Sequence, residues 1–130
     1  MRFNLRSKLA LAVLASLPVA ALAHHSFAVF FDGSKSITLT GVVTEFKFVN
    51  PHGLIVLQVK NKDGVAEEWK VETNSPSILR RRGWAPNSLT AGETITVDGW
   101  PGRNDSHYAR LRGAKRANGE QIGRPMGTED

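Results

Sequence analysis

Ser36-Ile37-Thr38-Leu39-Thr40-Gly41-Val42-Val43-Thr44-Glu45-Phe46-Lys47-Phe48-Val49 is the stretch on which the fold turns. Ile37 and Leu39 share one alternating face of an extended chain, whereas Phe46 and Phe48 fall on the opposite parity. A strand of period two buries both pairs only if it changes face partway along. Gly41 lies between them, and a glycine inside a strand marks a bend or a bulge. The spacing predicts one long strand that swings at Gly41 from one side of a small barrel to the other.

Working outward, Asn50-Pro51-His52-Gly53 reads as a turn, and Leu54–Lys60 as a second strand with Ile55, Leu57 and Val59 on one face. Asn61-Lys62-Asp63-Gly64 closes a hairpin, because Asp-Gly supplies the positive φ that a tight turn needs. The third strand, Val65–Thr73, sets Val65, Glu67, Trp69 and Val71 on one side and Glu68, Lys70 and Glu72 on a wet side. Ser75 as N-cap, Pro76 at the first helical position and Gly83 as terminator predict a short helix over 76–82, with Trp84 capping the barrel end beside it. A fourth strand from Gly92 turns Ile95 and Val97 inward and ends at Gly99-Trp100-Pro101-Gly102. A fifth, Ser106–Arg116, does the same with Ala109 and Leu111. Three strands, a short helix and two more strands is the order of an all-β, five-stranded OB-like small barrel, the partly open Greek-key fold that binds oligonucleotides and oligosaccharides. A small antiparallel sandwich is the alternative, disfavoured by the helix and the face change.

The whole chain, 130 residues with 41% hydrophobic and 22% charged, suffices for one folded domain. Three cations, Arg2, Arg6 and Lys8, precede an apolar run, Leu9–Ala23, with small residues at Ala21 and Ala23. That is the pattern of a secretory signal peptide cleaved after Ala23. The run is 15 residues, roughly 22 Å as a helix against a hydrocarbon core of about 30 Å, too short for a spanning anchor. The chain is therefore divided into a signal peptide (1–23), an N-terminal arm (24–35), a barrel (36–118) and a loose tail (119–130), with a periplasmic location. Removing the three leader cations leaves 14 basic residues against 12 acidic, a balance too even to drive nucleic-acid binding. The absence of cysteine excludes disulfides, thiolate nucleophiles, a zinc ribbon and iron–sulfur sites.

Three stretches together carry a resemblance: His24-His25-Ser26-Phe27-Ala28 with Phe31-Asp32, then Val49-Asn50-Pro51-His52, then Ser75-Pro76-Ser77-Ile78-Leu79-Arg80-Arg81-Arg82-Gly83-Trp84 with Leu89-Thr90-Ala91-Gly92-Glu93. In these the chain resembles a family of small exported bacterial proteins filed as a domain of unknown function. The resemblance implies a periplasmic β-rich domain and supplies no activity, substrate or catalytic residue.

The chemistry must come from the residues. Cleavage after Ala23 starts the chain at His24, whose amine and imidazole together chelate a cation; His25, His52 and His107 complete the histidines. In a barrel of this type the ligand surface is the face of strands two and three, framed by the loops between strands one and two and between strands four and five. Those loops hold His52, Trp100, Arg103 and His107. The arm of 12 residues is long enough to bring His24 and His25 to the same rim. A metal site of His24, His25, His52 and His107 is expected to take Cu(II) or zinc. Cu(I) is disfavoured, since Met126 is the one methionine after the leader. Trp100 and Arg103 are the candidate ligand-binding pair.

No catalytic constellation is legible. Glu67 and Glu68 point to opposite faces of a strand, and Ser26 beside His25 is adjacency rather than a triad. Arg80, Arg81 and Arg82 complement the C-terminal end of the short helix. The expectation is an exported, non-catalytic binding module for an unknown ligand or periplasmic partner protein, with metal binding through the N-terminal histidines. It binds no nucleic acid and spans no membrane once the leader is removed. The alternatives are a periplasmic Cu(II)- or zinc-handling protein and a small copper-dependent oxidase.

Overall fold

A computed structural model describes residues 27–104, 107–128 and 130. The expected signal peptide, His24, His25 and the expected strand start at Ser106 lie outside the described residues. Strand β1 (Ile37–Lys47) pairs antiparallel with β2 (Leu54–Lys60), and β2 with β3 (Ala66–Glu72). The helix α1 (Pro76–Arg81) then leads to β4 (Thr94–Pro101), which joins the other side of β1 and pairs with β5 (Tyr108–Arg116). Parallel pairing of β3 with β5, from Lys70↔Tyr108 to Glu72↔Arg110, closes the cylinder. The molecule is an all-β, five-stranded barrel of OB-like topology with one short helix. Among the described residues no helix is long and apolar enough to cross a membrane.

The inward parities read from the sequence form the core. Ile55, Val71 and Ala109 make one fully buried cross-strand row, and Leu39, Val97 and Ala114 another. Leu79 of α1, Trp84 and Leu89 fill one end. Each fully buried Leu or Ile contributes about 1.5–3 kcal/mol. Val65, expected on the inward parity, is exposed because β3 starts one residue later, at Ala66.

The face change in β1 is present, but Gly41 does not make it. Register passes from Val43↔Leu57 to Glu45↔Val56, leaving Thr44 as an extra residue. This bulge turns Leu39, Gly41 and Val43 inward on one side of it and Phe46 and Phe48 toward the core on the other. Gly41 instead permits close strand approach, since a Cβ there would stand 2.6 Å from the carbonyl oxygen of Gln58. Between β2 and β3, Asn61 Oδ1 accepts from the backbone N–H groups of Asp63 and Val65, with Gly64 at φ 79°. Ser75 does not cap α1 with its side chain, its hydroxyl bonding that of Ser77 instead; Gly83 ends the helix region at φ 85°.

Both ends of the described chain are packed. Residues 27–30 form one helical turn, Phe31 bridges to Gly102, and the Asp32 N–H donates to Pro101. The residues expected as a loose tail are a correction. Gln121–Ile122 form β6 beside β5, and Ile122 and Met126 are buried. Arg82 donates to both oxygens of Asp130 at 2.5 and 2.6 Å. The polar composition of 119–130 concealed two apolar side chains at the spacing that closes the barrel end.

Candidate functional site

Outside the barrel the same registers build cross-strand rows. Lys47, Leu54, Glu72, Arg110 and Trp100 are successive partners across β1, β2, β3, β5 and β4. Glu45, Val56, Lys70 and Tyr108 form the next row. Over β1 to β3 these rows enclose an open cleft of about 590 Å³ lined by Thr44, Glu45, Lys47, Leu54, Val56, Glu68 and Lys70. Leu54 and Val56 form its apolar floor. Lys47 faces Glu45 at 3.5 Å and Lys70 faces Glu68 at 3.8 Å. With Glu72 and Arg110 at its edge, the face carries three cations (Lys47, Lys70, Arg110) against three carboxylates (Glu45, Glu68, Glu72).

At that edge, where β3 meets β5, Glu72 is the hub. Its carboxylate accepts from Arg110 Nη1 at 2.5 Å and from the Tyr108 hydroxyl at 2.6 Å, while His52 Nδ1 stands 3.8 Å away. His52 Nδ1 also lies 3.4 Å from Arg110 Nη1. The Arg110 side chain is 10% exposed. Burial pulls its pKa downward from the ordinary guanidinium value, and the Glu72 carboxylate opposes that shift.

The arm covers the other side of the hub. Phe27 meets Trp100 edge-on at 5.4 Å and Phe31 at 5.5 Å, and Phe31 stacks on Tyr108 at 5.6 Å. Arg103 Nε donates to the Ala28 carbonyl, and Asp32 lies 3.9 Å from its guanidinium. Hydrogen bonds from the Ser34 side chain and backbone hold the Asp32 carboxyl below its ordinary pKa. Trp100 is consequently 7% exposed, clamped between Phe27 and the Arg112 guanidinium, 6.0 Å from the ring. The residues read as an open ligand-binding pair serve here to seat the arm: Trp100 beneath Phe27, and Arg103 against Ala28.

The histidines separate. His107 Nε2 pairs with Glu67 at 3.2 Å, and its ring packs on Trp69 at 5.1 Å. His52 turns to Glu72, which lies on the opposite parity of β3 and five residues away, roughly 17 Å of strand at about 3.4 Å per residue. Among the described residues no group of three or more acidic or imidazole side chains stands close enough to hold a metal ion. Sequence reasoning saw Glu72 only as one of the carboxylates of the third strand and missed Tyr108, Arg110 and Arg112. Arg110 lies between the inward residues Ala109 and Leu111, so its outward parity was legible. Its partner was not, because Glu72 reaches it through a parallel pairing between strands separated by α1 and β4.

Two solved structures are similar to this chain at low identity. A mitochondrial single-stranded DNA-binding protein from S. cerevisiae, Rim1, is similar at 8% identity and a TM-score of 0.47, over 69% of this chain and 95% of that one. A small single-stranded DNA-binding protein from Streptomyces coelicolor is similar at 17% identity and a TM-score of 0.42, over 63% of this chain and 90% of that one. No curated protein matches. A family model does match, across residues 11–110, which takes in β1 to β4 and the start of β5 up to Arg110. The chain belongs to that family, the Family of unknown function (DUF6152).

Proposed function

We propose that this protein is an exported, non-catalytic binding module whose ligand surface is the outer face of β1, β2 and β3. The observation that carries this reading is the cleft with a Leu54 and Val56 floor between paired lysines and glutamates. An apolar floor within a ring of balanced charge suits a periplasmic partner protein or a small ligand of mixed polarity. It does not suit single-stranded nucleic acid, which needs a cationic groove and aromatic platforms. The cleft is lined by no aromatic residue, and Trp84 and Trp100 are buried.

The test immobilises the mature protein and compares the periplasmic partners retained by wild type, Val56→Glu and Lys70→Glu. Loss of a specific partner with the face variants, but not with Lys62→Glu in the distal hairpin turn, supports the reading. An unchanged set with every face substitution, or tight binding of an oligothymidylate, overturns it.

A second reading, a Cu(II) or zinc site formed by His24, His25 and His52, draws support from the seating of the arm. The ring contacts from Phe27 through Phe31 to Tyr108 end at Glu72, beside His52. His24 precedes Phe27 by three positions in sequence, about 10 Å of extended chain. Intact mass of the secreted protein is expected to show a start at His24, and copper titration a Kd tighter than about 1 μM. His24→Ala and His52→Ala are each expected to weaken it by at least about tenfold. A different start, or equal binding by the variants, removes the metal from the proposal. Deprotonation of the chelating amine, with an ordinary pKa of about 7.7–8.0, makes binding weaken below neutral pH.

A further inference from the structure

Arg110 is the one cation of the binding face that is nine-tenths withdrawn from water, and among the described residues most of its hydrogen-bonding capacity is unused. Its Nη1 donates to Glu72 and approaches His52. Its Nε and Nη2, which share one edge of the planar guanidinium, donate to none of the described residues. Neither nitrogen is sealed from solvent, since the only fully enclosed side-chain polar atoms without partners among the described residues belong to Asn74 and Trp84. A guanidinium presents five N–H donors in a fixed fork, and desolvating them without acceptors is costly. The open edge is the one that matches two coplanar oxygens.

We infer that the Nε and Nη2 edge of Arg110 is a binding site for a ligand carboxylate. The inference rests on the proposed binding face and names a chemical group held there. Charge selects a carboxylate over a phosphate: Glu72 already neutralises Arg110, so a dianion would leave the site with a large uncompensated negative charge, whereas a monoanion adds one. Arg112, whose guanidinium lies over Trp100, and Lys70 in the neighbouring row supply positive charge around it. A guanidinium only 10% exposed is better reached by the end of a small organic acid or of a polypeptide than by an acidic side chain on a flat protein surface.

The experiment follows the Arg110 Nε–Hε cross-peak of the 15N-labelled mature protein during titration with sodium acetate, trialanine and trialaninamide, with sodium chloride at matched ionic strength. Acetate and trialanine are expected to shift it saturably, acetate with a Kd of about 1 mM, within what so few atoms support. Trialaninamide and chloride are expected not to. Arg110→Lys keeps the charge and loses the fork, and its remaining signals should respond to acetate at least about tenfold more weakly. If that variant does not fold, the wild-type contrast of trialanine with its amide decides. Tighter binding of trialanine than of acetate identifies a chain end as the source; equal binding identifies a small acid. No saturable shift up to about 50 mM, or a shift that chloride reproduces, overturns the inference and leaves that edge to water. Should this fail while Val56→Glu still abolishes partner capture, the binding face stands and only the carboxylate is lost.

Discussion

Gly41 occupies a point where β1 and β2 approach too closely for a side chain. An added Cβ would meet the Gln58 carbonyl oxygen at 2.6 Å and Val59 Cγ2 at 2.9 Å, and a backbone oxygen in a paired strand cannot swing aside. Gly41→Ala is therefore expected to destabilise by about 1–3 kcal/mol, read by urea unfolding. The glycine was legible as special, but the reason was not, because the crowding comes from the partner strand. Asp130 shows a different dependence. Hydrogen bonds from Arg82, first, and from the Gly127 N–H hold its carboxyl below the ordinary value of 3.8. A carboxylate depressed in the folded state stabilises above its unfolded pKa, and that stabilisation is lost as pH falls through the folded one. In acid titration of thermal stability, Asp130→Asn is expected to lower the melting temperature at pH 6 and to flatten its decline as pH falls through and below the ordinary value of 3.8, converging on wild type in stronger acid. Parallel curves offset by a constant would show that the Arg82 pair contributes nothing pH-dependent.

At the scale of elements, the strands followed from parity and the terminal segment did not. Ile55, Leu57, Ile95, Val97, Ala109 and Leu111 all point inward as their alternation requires. Residues 119–130 carry no periodic pattern long enough to signal structure. Yet the β6 pairing of Ala114 with Ile122, the Met126 N–H donating to Arg112 and the Arg124 N–H donating to Arg82 fasten them to the barrel end. Met126 is 5% exposed, so Met126→Ala is expected to cost about 2 kcal/mol or more in urea unfolding. A change below about 0.5 kcal/mol is what a surface position gives and would show the tail unseated. The bulge at Thr44 belongs to this scale too. Its side chain donates to the Val56 carbonyl that the irregular pairing leaves available, a use of threonine that no sequence pattern announces.

For the whole molecule, the arm decides what the loop between β4 and β5 is free to do. Phe31 is 3% exposed and lies between Phe27 and Tyr108, so the arm acts as an outer layer of core over β4 and β5. Phe27→Ala is expected to open Trp100 to acrylamide quenching while Trp84, at the opposite packing of Phe46, stays protected. Unchanged quenching would mean that the ring cover comes from elsewhere. The strand parities, the turns at Asn61–Gly64 and Gly83, and the barrel class were legible in the chain alone, because alternation and turn chemistry are properties of neighbours along the chain. That Trp100 is covered, that His52 and His107 face different carboxylates, and that Arg110 meets Glu72 emerge only once the chain is folded. The cover of Trp100 comes from the arm through Phe27; the other two depend on the parallel closure of β3 on β5, which joins residues about forty positions apart, and no local preference encodes which side chains such contacts bring face to face.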